Sequence, residues 1–404
     1  MENAIWLDVS RLAGRAGRGV LTGVDRVEFA WLRHVLALAD ADTRYLLRTT
    51  RGYLLLDHRG ATRLVDILSG HGLPDRGDAL SRMLGKGSDP RHRVEFALRS
   101  IAVDRAVPWA LPQMIARAPA PFTYLNTGHS NLSDRTQASF AAAPNATVAV
   151  LIHDLIPITH PDLVRQVMPM RFAALIDRVR RHADLVICNS DATKADLDAH
   201  WRGLGRRPRD VVAPLGVDRP QTIPKTLRAP RSFVMLGTIE PRKNHALILD
   251  VWDRLAIDLP GDLMPDLHII GPSGWRVDAL MARIAAHPLL GRSIHLHGVL
   301  SDVAVQTHLA RATALLFPSL AEGYGFPPLE AALMGALPIC SDLPVFRNTL
   351  GNSAVYLDAA DPYLWTETIK KHVLGIDALP VLPPPVCPGW HEHFERVGQA
   401  LAKS

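Results

Sequence analysis

The sequence predicts an α/β protein built from two doubly wound, parallel-sheet domains. Three observations carry that reading. Short apolar runs alternate with segments of helical periodicity through residues 232–357, the order expected when each parallel strand returns through a helix. The same alternation recurs less regularly over residues 5–200. Between the two halves, residues 214–230 (PLGVDRPQTIPKTLRAP) are rich in proline and poor in pattern, the composition of an interdomain linker. A chain of 404 residues is long enough to form two cores.

In the first half, residues 5–9 read as a strand, 24–38 as a helix and 44–56 as two strands. Residues 70–120 hold scattered Gly, Pro and Arg with weak periodicity and read as an insertion. Strands follow at 122–125 and 147–152, a helix at 170–182, a strand at 185–188 and a helix at 192–200. The second half is more regular: strands at 232–236, 267–270, 294–296, 312–317, 337–340 and 354–357, with helices at 244–255, 277–286 and 302–311. After the proline-rich 380–388, residues 390–401 (WHEHFERVGQAL) form an amphipathic helix beyond the last strand. The expected division is a first domain at 1–214, a linker at 215–230, a second domain at 231–385, and a C-terminal helix at 386–404 packing back on the first domain.

The most informative stretch is PSLAEGYGFPPLEAA, residues 318–332, where Glu322 and Glu330 stand eight positions apart. On one continuous helix that spacing would offset the two side chains by about 80°. Gly323, Gly325, Pro327 and Pro328 cannot all be helix interior, so Glu322 belongs to a loop. The prolines suit a first helical turn, where a missing N–H costs least, which places Glu330 one turn inside a helix. A buried strand, a glycine loop and a helix start together make a cradle for an anionic ligand, with backbone N–H groups of Gly323, Tyr324, Gly325 and Phe326 free to bind it.

Bulk properties exclude several classes. No apolar run approaches the roughly 20 residues of a membrane span, and MENAIWLDVS lacks a basic-then-apolar leader, so a cytoplasmic protein is expected. Cys188, Cys340 and Cys387 are odd in number and widely spaced, suggesting neither a disulfide framework nor a zinc site. Net charge is +5 but uneven: residues 1–220 carry 30 Lys+Arg against 23 Asp+Glu, and residues 221–404 carry 15 against 17. The basic half is nearly all arginine, suited to phosphates, and allows peripheral contact with the inner face of the cytoplasmic membrane. No RNA-binding signature or basic-aromatic stripe appears, so nucleic acid is not an expected partner. Asp40 with Asp42 and Asp196 with Asp198 fall in helical segments rather than at strand ends, the histidines are scattered, and His391 with His393 lacks zinc spacing; no metal is called for.

Six segments in order, IHDLIPITHP (152–161), ICNSDATKADL (187–197), APLGVD (213–218), MLGTIEPRKNHALIL (235–249), LHGVLSD (296–302) and LLFPSLAEGYGFPPLEAA (315–332), make the chain resemble a group 1 retaining glycosyltransferase of family 4, with the GT-B architecture of two Rossmann-like domains facing across a cleft. The resemblance implies a nucleoside diphosphate sugar as donor substrate and no cofactor. It implies that Arg242 and Lys243 pair with the donor diphosphate, joined by Thr238 and Gly23 on approaching loops and by Arg26 toward phosphate or acceptor. Many members carry an arginine at the position of Thr238, so more of the charge is expected to fall on Arg242 or Arg26. By the same resemblance Glu330 accepts from both ribose hydroxyls, and Gly323, Tyr324, Gly325 and Phe326 contact the sugar and phosphate. Glu322 contacts a sugar hydroxyl and stabilises positive charge developing at the anomeric carbon; it need not be a nucleophile, because retention is usually explained by attack from the leaving group's own face. His153 lines the sugar pocket, and Asp154 either receives the acceptor proton or fixes the imidazole.

The expected activity is transfer of a hexose or deoxyhexose, with mannose from GDP-mannose first, to a polysaccharide or lipid-linked oligosaccharide in surface-glycan assembly. A sucrose-synthase or phosphorylase-like enzyme on soluble sugars is one alternative, and a non-catalytic glycan-assembly scaffold is another.

Overall fold

The structure, a computed structural model, describes residues 4–17, 21–38, 42–75, 77, 88–118, 121–218 and 229–403. Asp40 and residues 219–228 of the expected linker lie outside them. The first sheet contains β1 (Ala4–Asp8), β2 (Arg44–Thr49), β3 (Gly52–Leu56), β4 (Asp104–Ala106), β5 (Phe122–Asn126), β6 (Ala146–Ile152), β7 (Leu185–Cys188) and β8 (Arg209–Val212), in the spatial order β4-β3-β2-β1-β5-β6-β7-β8. The second contains β9 (Ser232–Leu236), β10 (Asp266–Ile270), β11 (Ile294–Gly298), β12 (Ala314–Phe317), β13 (Leu337–Ser341) and β14 (Val355–Leu357), in the order β11-β10-β9-β12-β13-β14. Every pairing in the second sheet is parallel. The two-sheet α/β architecture matches the fold expected from the sequence.

Two departures have local causes. Strands β2 and β3 form an antiparallel hairpin closed by Thr49 and Gly52, and β4 adds to it antiparallel, so the first sheet is parallel only from β2 through β8. The segment expected as an insertion therefore supplies a sheet edge and its cover: the helix Pro90–Arg99, capped by Asp89, β4, and the helix Leu111–Ala116. β4 is three residues long, too short to show a period. The short edge strand β8 (RDVV) escapes pattern reading for a related reason: its first two residues are exposed.

In both sheets the strand order reverses next to a central strand, between β1 and β5 and between β9 and β12, and ligands of doubly wound sheets gather at the carboxyl ends beside such a switch. The strands that flank these points are buried along almost their whole length, because helices cover both faces. The helix Trp390–Ala402 lies on the first domain. Phe394 stacks on His34 at 3.8 Å between ring centres and meets Trp31 edge-on at 4.8 Å, while Arg209 donates to the carbonyls of Ala400 and Lys403. Burying Phe394 and Val397 there is worth roughly 1.5–3 kcal/mol each.

Candidate active site

The loop after β12 and the loop after β9 meet at the second sheet's switch point. β9 runs into Gly237, whose φ of +141° only glycine adopts freely, then Thr238, and then a single 3-10 turn, Pro241–Lys243. Asn244 takes the left-handed conformation at φ 53° and starts the helix His245–Asp258, so Arg242 and Lys243 project from a fixed turn. Leu320 donates its N–H to the Arg242 carbonyl at 2.8 Å, locking the β12 loop to that turn. The glutamate and both cations then converge: Glu322 Oε1 lies 2.6 Å from Arg242 Nη1 and 2.5 Å from Lys243 Nζ.

Burial alone would raise the Glu322 carboxyl, but Arg242 and Lys243 overcome it and hold it at about 2, so it is a permanent anion. The two cations are not equivalent. Arg242 spends Nε and Nη2 on Glu240 and Nη1 on both Glu322 and the Ala321 carbonyl. Lys243, with three donors, has Glu322 as its hydrogen-bond partner among the described residues and the Phe317 ring 4.1 Å below its ammonium. Thr238 shares this loop, its methyl toward Gly274.

Glu330 is held differently. The helix Phe326–Leu333 begins at Gly325, φ +91°, where a Cβ would lie 2.6 Å from the Phe346 ring, so glycine is required by conformation and by space. Pro327 and Pro328 fill the first turn and Glu330 follows them, partly open to solvent and ion-paired with Arg26 of the first domain. Burial raises the Glu330 carboxyl and Arg26 opposes the rise. Arg26 also covers the Phe326 ring at 5.2 Å, and a Cβ on Gly23, at the start of the same helix, would lie 3.5 Å from that ring. That helix is set by a capping box in which Asp25 accepts the Thr22 N–H.

The first domain approaches the glycine loop from the end of β6. A Cβ on Gly323 would fall 2.4 Å from the His153 carbonyl oxygen and 2.8 Å from the Asp154 Cβ. Ser190 donates to the Gly323 carbonyl, and the Tyr324 hydroxyl reaches the Leu215 carbonyl at 2.6 Å. His153 is buried, and desolvation together with the nearby His129 holds its imidazole neutral, at about 3. Its Nε2 lies 2.7 Å from the Thr127 carbonyl, which can only accept, so Nε2 carries the proton and Nδ1 keeps a lone pair. Burial raises the Asp154 carboxyl against the pull of Arg242, and its Oδ1 takes the Ile156 N–H. The singled-out residues other than Thr238, which faces Gly274, thus meet at one junction, those of the second domain around Glu322 and Glu330 and those of the first around His153 and Arg26.

Sequence reading missed a buried polar group at the carboxyl ends of β1 and β5. Asp8 accepts from the Tyr124 hydroxyl and the Asn131 amide, and Arg11 bridges Asp25 and Glu28. Gly128 packs directly on the Glu28 carboxylate, and burial pushes Glu28 up to about 8 against the charge of Arg11. The available signal was a polar residue directly after an apolar strand run, Asp8 in IWLD and Asn126 in TYLN.

The two doubly wound sheets have the GT-B architecture. Residues 219–372 match the model of the family described as glycosyl transferases group 1. The chain is 30% identical over 247 residues to the serotype-specific mannosyltransferase WbdA of Escherichia coli, covering 56% of this chain and 30% of that one. It is 27% identical over 247 residues to the O-antigen chain mannosyltransferase RfbU of Salmonella typhimurium, covering 60% and 65%. The chain thus spans under a third of WbdA's length and about two-thirds of RfbU's. Among solved structures, Anabaena Alr3699/HepE in complex with UDP-glucose superposes over the whole of both chains with a TM-score of 0.62 at 13% identity, a likeness of fold.

Proposed function

We propose that this chain is a retaining glycosyltransferase of surface-glycan assembly that moves a hexose or deoxyhexose, mannose from GDP-mannose first, to a polysaccharide or lipid-linked oligosaccharide. The observation that carries the proposal is the convergence of Glu322, Arg242 and Lys243 at the switch point, on a loop that packs against the β6 end of the facing domain and leads into the helix bearing Glu330. The mannosyltransferase names of WbdA and RfbU favour mannose as the donor sugar.

In this reading Lys243 gives its remaining N–H bonds to the diphosphate and stabilises the charge that develops as it leaves. Arg242, with most of its donors committed, positions Glu322 and adds a second positive charge. Glu330 exchanges part of its Arg26 pairing for the ribose hydroxyls. Glu322, fixed as an anion, faces the sugar and offsets positive charge at the anomeric carbon, and the neutral His153 accepts a sugar hydroxyl proton bond at Nδ1. The cations do the work a metal would do at the diphosphate, so transfer proceeds without one.

Membrane contact is part of the proposal. No helix among the described residues is long and apolar enough to cross a membrane. Val167, Met168 and Met170 stand exposed between the exposed Arg165 and Arg171 at the start of the helix Met168–His182, an apolar-basic edge suited to an anionic bilayer surface.

A thermal-shift screen of GDP, UDP, dTDP and ADP sugars, followed by transfer to lipid-linked acceptor, tests the reading. A bound donor raises the melting temperature by mass action, by about 2.7 kcal/mol of stability at a hundred times Kd. Stabilisation by GDP-mannose with transfer and retained anomeric configuration supports it; no stabilisation by any nucleotide sugar removes it.

A further inference from the structure

Four histidines from three elements of the chain meet on one face of the second sheet. His268 stands in the middle of β10, and on β11 His295 pairs opposite it in register. The register then slips: Ile269 faces Leu296, but Ile270 faces Gly298, leaving His297 as the extra residue of a bulge. Bulges re-aim a side chain, and here the result is His297 Nε2 only 3.0 Å from His268 Nδ1. The helix Asp302–Arg311 returns across the same face and brings the His308 ring to 4.7 Å from that of His297 and 5.0 Å from that of His268. One nitrogen of each of the three rings lies within 4.8 Å of the others.

We propose that His268, His297 and His308 bind one divalent transition-metal ion, zinc(II) fitting best. Two nitrogens each about 2.0–2.1 Å from a tetrahedral zinc stand about 3.3 Å apart, close to the His268–His297 separation, and small ring rotations bring in His308. A donor set of imidazoles alone selects zinc, copper or nickel over magnesium or calcium. The rings are half-buried, so a fourth position remains for water. Metal ligands must be unprotonated, and burial holds all three imidazoles below their ordinary range, His268 at about 4. His295 stacks on His268 at 4.9 Å with its Nε2 turned 3.3 Å from Asp266, and so flanks the ion rather than holding it. The site shares no residue with the donor loops. It would pin the helix Asp302–Arg311 to the sheet edge, a structural role; histidines that read as scattered over 40 residues of the chain are brought together here from three elements.

The test is titration calorimetry of the untagged full chain with zinc chloride after chelator dialysis, paired with zinc-edge X-ray absorption of the loaded protein. One equivalent should bind, with three nitrogen neighbours at about 2.0–2.1 Å and no sulfur. His297→Ala and His308→Ala should each weaken binding at least tenfold to a hundredfold, the range that even indirect supporting contacts command, while His391→Ala on the C-terminal helix should not. No binding by the wild type, sulfur in its absorption spectrum, or undiminished affinity in His297→Ala and His308→Ala would each overturn the site; the absorption result stands even if a variant fails to fold.

Discussion

The two walls of the cleft hold their charges in different ways. On the second domain the charges around Glu322 come from two short loops of one sheet and are locked by partners on the same wall: Glu322 between Arg242 and Lys243, Arg242 against Glu240. On the first domain Asp8, Arg11, Glu28, His129 and His153 come from five separate segments, and burial pushes Asp8, Glu28 and both histidines toward their neutral forms. One wall is thus a preorganised ionic site and the other a largely neutral, hydrogen-bonding one. A nucleoside diphosphate needs the first kind of wall; a sugar hydroxyl entering as nucleophile needs the second.

Removing a charge from the ionic wall should have the largest effect. Lys243→Ala should lower kcat/KM for transfer by about 10²–10³, the range for losing one preorganised donor to a developing anion. A fall under tenfold in steady-state assays would shift the diphosphate contact to Arg242. Next comes the seam between the walls. Gly323→Ala would drive a methyl into the His153 carbonyl, so the domains must part by about 1 Å, and displacement on that scale costs about 10²-fold in rate. Donor affinity, read by calorimetry, should fall far less than rate; equal losses would mean that the loop, not the seam, had been disturbed.

Stability separates the walls as well. Glu322→Gln leaves the buried Lys243 without its anion and takes from Arg242 one of two, Glu240 remaining, and should cost about 3–5 kcal/mol in chemical denaturation near pH 7. Because the folded carboxyl sits at about 2, below its ordinary 4.5, the stability it contributes is complete above pH 4.5 and disappears as pH falls through 2. The wild type should lose stability across that window and the variant should lose less; parallel curves would contradict the ionised buried Glu322. The smallest effect belongs to the pair that bridges the walls. Arg26 and Glu330 are both partly exposed, so Arg26→Ala should change stability by under about 1 kcal/mol.

The same contrast explains what could be read from the sequence. The ionic wall is legible because glycines, prolines and charges occupy fixed offsets in residues 318–332 and 238–243, each with its own backbone reason. Gly325 needs positive φ, and the prolines need a first helical turn. The neutral wall is not legible, since Asp8 and Glu28 acquire meaning only when β1, β5 and the helix Gly23–Ala37 are assembled. Strand β4 was hidden by its length, and the histidine cluster by a register slip that no local pattern records. The position of His153 directly after β6 is legible in the sequence, but its neutral state and fixed tautomer depend on Thr127 and His129, contributed by the β5 end.

Calorimetric titration of GDP-mannose and GDP into the wild type and Lys243→Ala, at one salt concentration, tests the central claim most directly. The account predicts saturable one-to-one binding of both ligands to the wild type, weakened at least about 100-fold in the variant. Equal affinity for the two proteins would contradict the assignment of the Glu322, Arg242 and Lys243 cluster to the donor diphosphate.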